Sequence, residues 1–116
     1  MTQEQVKRLE QIFEKLERSP RGKKCKGMEG LIAEGQELME EEAEPEVLDA
    51  GLISAAQHVE HYEMAGYGTV RTYARLLGYN DAADLLQKTL DEEGQTDERL
   101  TKLAESGINL EAKNAA

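Results

Sequence analysis

From Glu46 to Leu77 the chain is helix-compatible without a break, with Pro45 just before the stretch and Gly78 just after it. Proline suits the opening turn of a helix and glycine the position past its end, so both ends of one long helix are marked. Three further segments read as helical. The first runs from about Thr2 to Arg18, with Val6, Leu9, Phe13 and Leu16 on one stripe and Ile12 beside it. The second, about Gly27 to Glu41, carries Met28, Leu31, Ile32, Leu38 and Met39 on its apolar face. The last starts with Asn80 or Asp81 as N-cap and continues to about Ser106. "SPRGKK" separates the first two segments, Gly107 closes the last, and "NLEAKNAA" is expected to fray. Strand formers are too scattered for alternating runs. Residues 1–116 therefore read as one all-α domain, and long antiparallel helices with short connections predict a helical bundle.

Charge narrows the partners. The formal net charge is −10 at pH 7, which repels phosphate backbones and argues against nucleic acid. The acidic run "MEEEAEPE" reads as a solvated helix end and linker. No apolar run approaches the ~20 residues of a membrane span, and the N-terminus is polar rather than signal-like, so no membrane contact and a soluble, cytoplasmic chain are expected. Cys25 is the single cysteine, which excludes an intramolecular disulfide and fits a reducing compartment. Its neighbours Arg21, Lys23, Lys24 and Lys26 would lower the thiol's pKa, but no catalytic partner is visible, and an incidental thiol in a basic loop is the simpler reading.

The core stripe of a bundle helix advances by alternating steps of four and three residues. In the long third helix it reads Ala56, Glu60, Glu63, Tyr67, Val70, Ala74, Leu77; in the fourth it reads Leu86, Leu90, Glu93, Asp97, Leu100, Ala104. Each stripe thus carries two carboxylates in its middle, with apolar turns on both sides. Buried carboxylates without partners cost several kcal/mol each, and no lysine or arginine stands on either stripe at that level. A cation is the simplest compensation. Oxygen-rich sites of this kind suit iron, manganese, magnesium or calcium. The alternative is a wet seam, where the acids are solvated, partly protonated, or paired with basic side chains of a neighbouring subunit.

His58 and His61 have a spacing that can bind zinc, yet helical phase turns them roughly 130° to 170° from Glu60 and Glu63, outward toward solvent or a partner. Tyr67 stands on the stripe one turn past Glu63. Its hydroxyl would either hydrogen-bond a carboxylate there or be satisfied locally while the ring packs.

The stretches "PRGKKCKGMEGLI", "AAQHVEHYEMAGYGTVRTYARLLG" and "AADLLQKTLDEEGQTDERLTKLA" resemble the YciE/YciF-like bacterial proteins, a branch of the ferritin-like superfamily. The resemblance covers about Gln3 to Ala112. It implies a four-helix bundle with one extra short helix, a dinuclear metal centre, dimerisation and a link to bacterial stress responses, with no firmly assigned activity. By resemblance, Glu60 and Glu63 are the ligand pair of the third helix and Glu93 the carboxylate of the fourth. Asp97 stands where a second ligand, often histidine, would be. Relatives begin with a complete first helix and the front half of the second, each supplying ligands. Here "MTQEQVKRLEQIFEKL" matches only the later part of the second and has no ExxH motif. The expectation is an N-terminally truncated ferritin-like bundle holding part of a carboxylate site for iron or manganese at Glu60, Glu63, Glu93 and Asp97. A homodimer or higher homo-oligomer would complete or cover that site, and catalysis is not expected. A metal-free oligomerisation or protein-interaction module is the competing reading.

Overall fold

The computed structural model describes all residues, 1–116, and contains helices but no strand. The helices are α1 (Thr2–Lys15), α2 (Lys26–Glu40), α3 (Pro45–Leu76), α4 (Asn80–Leu103) and α5 (Asn109–Ala115), with a π-type turn at Ala104–Ile108 between the last two. The all-α bundle expected from periodicity is present. None of its helices is long and apolar enough to cross a membrane.

The backbone of the fold is the antiparallel hairpin of α3 and α4. Gly78 makes its corner. With φ of 82° it takes the left-handed conformation that glycine adopts at no steric cost. Its N–H bonds the Arg75 carbonyl at 3.1 Å, and the next N–H, of Tyr79, bonds that of Ala74 at 2.8 Å. This paired closure satisfies the last carbonyls of α3 and turns the chain straight into α4. Tyr79 consequently occupies the N-cap position with no side-chain cap, and the capping role expected of Asn80 or Asp81 is not used.

The same closure ends α1, but on a non-glycine residue. Glu17 has φ of 53°, with Glu17 N–H on the Glu14 carbonyl and Arg18 N–H on that of Phe13, both at 3.0 Å. A side chain in this region costs about 1 kcal/mol or more. Glu17→Gly is therefore expected to raise the unfolding free energy by about 1 kcal/mol, read as a higher urea midpoint at unchanged slope.

α1 lies antiparallel along α4, and it is rotated relative to the sequence expectation. Gln5, Arg8 and Ile12 are buried, whereas Val6, placed on the predicted stripe, is exposed. Polar contacts to α4 set this rotation. α2 runs antiparallel to the first half of α3, brought close by two glycines: a side chain at Gly27 would collide with Tyr62, and one at Gly51 with Leu38. The C-terminal stretch is not frayed as expected. At Gly107 the backbone leaves helical geometry (φ 157°, ψ −28°), and beyond this kink α5 packs on α3.

The molecule is elongated, 53 × 27 × 21 Å, with a radius of gyration of 17.2 Å where a compact domain of this length would have about 13 Å. Its core is accordingly thin. Ile12, Ala74, Ala83 and Leu86 form it near the hairpin corner, with Leu9, Leu16 and Tyr67 packed around them. Four of the ten buried residues are polar (Gln5, Arg8, Thr89 and Glu93), and they form the next layer along the bundle.

Candidate metal centre

That polar layer leads to the seam acids. The structure brings Glu60 and Glu63 of α3 and Glu93 of α4 together, with one carboxylate oxygen of each within 4.8 Å of the others. The reason is the helical phase of the sequence: positions three apart on α3 share a face, and Glu93 stands opposite on α4. Glu93 is 2% exposed. Glu60 Oε2 and Glu93 Oε2 are buried with no hydrogen-bond donor outside the three carboxyls.

Three carboxylates this close cannot all be ionised in a dry site. Burial, then the hydrogen bond and charge of Glu93, with Glu63 and Asp97 adding their charges, push Glu60 up to about 8. Burial and Glu93 push Glu63 up to about 7. Burial pushes Glu93 up as well, but hydrogen bonds from Glu60, Glu63 and Gln5 outweigh it and hold this carboxyl below the ordinary range. Glu93 is thus the ionised member, accepting protons that the other two retain. The same oxygens that share protons are hard donors suited to a divalent cation, which would displace those protons.

α1 supplies what the α3 and α4 stripes lack. Arg8 grips Glu92 with two parallel hydrogen bonds, Nη1 to Oε1 at 2.6 Å and Nη2 to Oε2 at 2.8 Å, and also bonds Thr89 Oγ1 at 3.1 Å. The Arg8 guanidinium holds Glu92 down at about 2. Gln5 Nε2 donates to Glu93 Oε1 at 2.6 Å and, more weakly, to Glu92 Oε1 at 3.3 Å. Sequence reading missed Gln5, Arg8 and Glu92. Their available signal was the i, i+3 spacing of two polar residues on a face of α1 that otherwise continues as Ile12 and Leu16.

Asp97 is not drawn into the cluster. Gln57 Nε2 donates to its Oδ1 at 3.3 Å and to Thr101 Oγ1 at 2.7 Å, and Asp97 Oδ2 lies 3.0 Å from His61 Nε2. These groups line a separate polar cleft of about 280 Å³ with Ser54 and His58. His61 therefore reaches an acid of α4 rather than solvent alone, although its side chain is 65% exposed. His58 is exposed, its Nδ1–H bonded to the Ser54 carbonyl at 2.7 Å. Neither histidine joins the glutamates.

Tyr67 packs against the core; burial first, then the charges of Glu63 and Glu93, push its phenol up. It shares an apolar cleft with Leu9, Met28, Tyr62, Val70 and Leu86 that reaches Glu63. Cys25 stands at the rim of this cleft, at the N-cap of α2. Its thiol is lowered chiefly by the Tyr62 hydroxyl 3.0 Å away and then by the Met28 N–H, not by the basic neighbours invoked from sequence.

Comparison with known proteins gives a consistent result. The family model described as "Domain of unknown function (DUF892)" matches residues 1–113. Protein YciF of Escherichia coli (strain K12) is 48% identical over 120 residues, covering 99% of this chain and 70% of YciF. The crystal structure of that protein, called a stress protein, superposes with a TM-score of 0.88 at 49% identity, over 93% of this chain and 69% of the other. YcfI from Rhodopseudomonas palustris, for which a structural role has been suggested, superposes with a TM-score of 0.82 at 43% identity, over 86% of this chain and 64% of its own. The chain belongs to the DUF892 family and is a relative of YciF.

Proposed function

We propose that this chain is a bacterial, cytoplasmic, ferritin-like stress-associated protein that holds iron or manganese between α3 and α4 and works as a homodimer or higher homo-oligomer. The observation that carries the reading is a three-carboxylate cluster in which two buried oxygens, Glu60 Oε2 and Glu93 Oε2, have no donor from the rest of the chain. Unpartnered buried carboxylate oxygens are costly, and a divalent cation satisfies several at once. Glu60, Glu63 and Glu93 are the proposed ligands. Asp97 adds its negative charge beside Glu60 from one turn further along α4. Bound here, iron would supply redox chemistry and manganese a Lewis acid; no catalysis is proposed.

The test is metal analysis of protein purified without chelator. Stoichiometric iron or manganese, absent from the Glu60→Ala, Glu93→Ala double variant, is the expected result. Protein that arrives metal-free and takes up neither added Fe²⁺ nor added Mn²⁺ overturns the reading and leaves a metal-free interaction module in its place.

The oligomer rests on a separate observation. Val70, Tyr73 and Leu77 fall on one face of α3 by helical phase, and all three are exposed. A large apolar face of this kind marks an interaction surface. Sedimentation velocity should give at least twice the 12.9 kDa chain mass, and Val70→Glu with Leu77→Glu should shift the protein to monomer. A wild-type chain that sediments as a monomer at tens of micromolar contradicts this part of the proposal.

A further inference from the structure

Gln5 is the group of α1 that touches the carboxylate cluster through a hydrogen bond. Its side chain is buried, at 6% exposure, and its amide nitrogen is 2.6 Å from Glu93 Oε1. The bond occupies one oxygen of Glu93 and leaves the other, Oε2, buried with no donor outside the carboxyl cluster. A neutral amide does this without repelling a cation, whereas a lysine or arginine in its place would compete for the site by charge. Outer-shell donors of this type fix the orientation of ligating carboxylates.

The amide is itself held. Its nitrogen also faces Glu92 Oε1 at 3.3 Å, and Glu92 is clamped by both terminal nitrogens of Arg8, one turn further along α1. A continuous path thus runs from Arg8 through Glu92 and Gln5 to Glu93. α1 lies alongside α4, with Ile12, Leu9 and Leu16 in the thin core near the corner, and at the level of the carboxylates these bonds hold it. Any group that orients a ligand and is also a docking contact links the two equilibria, and the linkage is reciprocal.

We propose that Gln5 is a positioning residue for the cation site and that, through it, occupancy of Glu60, Glu63 and Glu93 tightens the docking of α1 onto α4. This rests on the metal reading above. It adds a role for a helix that contributes no ligand, and it makes cation binding visible at a distance from the carboxylates.

The experiment uses the full chain and Mn²⁺ as probe, with two readouts. Mn²⁺ titration by calorimetry should show a roughly 10- to 100-fold weaker affinity for Gln5→Met than for wild type, at a temperature where both are fully helical by circular dichroism. Hydrogen exchange of wild type should show α1 amides slowed on adding Mn²⁺, while amides of α2 change little. In Gln5→Met the Mn²⁺-dependent slowing of α1 should be lost. Equal Mn²⁺ affinity in the two proteins overturns the positioning role, and α1 exchange unaffected by Mn²⁺ in a wild type that binds it overturns the coupling. A wild type that binds no Mn²⁺ or Fe²⁺ is a different outcome: it removes the metal reading and the inference with it.

Discussion

Raising the pH of the metal-free protein from 5 to 8 is expected to lower its unfolding free energy by on the order of 3 kcal/mol, and saturating Mn²⁺ is expected to abolish that loss. The sign follows from the two raised carboxyls. Glu60 and Glu63 titrate near 8 and 7 in the folded chain, against an ordinary value of 4.5. A carboxyl with a raised folded value favours folding only while protonated. Its contribution is complete below about pH 4.5 and is lost as pH climbs through 7 and 8. Each tenfold gain in a carboxyl's proton affinity on folding corresponds to about 1.4 kcal/mol. Glu93, held below the ordinary value, is ionised in both states above pH 5 and adds nothing in this window; the half-exposure of Glu60 and Glu63 screens their interactions, hence the modest net figure. Glu92 acts in the other direction: held at about 2 by Arg8, it favours folding above pH 4.5 and loses that contribution as pH falls toward 2. Metal-free protein should therefore be most stable near pH 5, not near neutrality. Urea titrations at pH 5, 6.5 and 8, with and without Mn²⁺, check this. A flat or rising profile without metal would show that the three glutamates do not share protons as their geometry requires.

The second large effect lies in α1. Replacing Arg8 with methionine should cost about 3 kcal/mol, because it strands Glu92 beside Glu93 in a layer that water reaches poorly. The Arg8 and Glu92 side chains are 11% and 22% exposed, so solvent screening reduces the pair's strength only in part. If the cost is that of a stranded charge, it should shrink to under about 1 kcal/mol when Glu92→Met is added, since an apolar pair of similar volume replaces a buried ion pair without penalty. A double variant as unstable as Arg8→Met alone would locate the damage in packing of the arginine stem instead.

These two predictions sit on residues of different legibility. Glu60, Glu63 and Glu93 could be read from sequence because helical phase is a local property: an acid on an apolar stripe announces itself without knowledge of the partner helix. Asp97 shows the limit of that reading. It occupies the same stripe as Glu93, but Gln57 and His61 of α3 hold its two oxygens in a separate cleft, and phase alone carries no information about that competition. The rotation of α1 was illegible for a related reason. Val6, Leu9, Phe13 and Leu16 suggest one face, yet the helix turns to bring Gln5 and Arg8 onto Glu93 and Glu92, partners more than eighty residues away in sequence. The packing of α5 on α3 follows a single backbone kink at Gly107, where the sequence showed only a stop signal. Helix ends, by contrast, were readable to within a residue or two at α2 and α3, where Pro45 and Gly78 supply chemistry that acts locally.

The central claim is that Glu93 and its two neighbours on α3 form a cation site. It is tested most directly by titrating Mn²⁺ into the metal-free chain and into Glu93→Gln, a change that keeps the side-chain volume and removes one charged ligand. Wild type should bind with a single class of sites, and Glu93→Gln should lose that binding by a factor of about 100 while gaining stability near pH 8, where carboxylate repulsion is greatest. Equal Mn²⁺ binding by the two proteins would contradict the account.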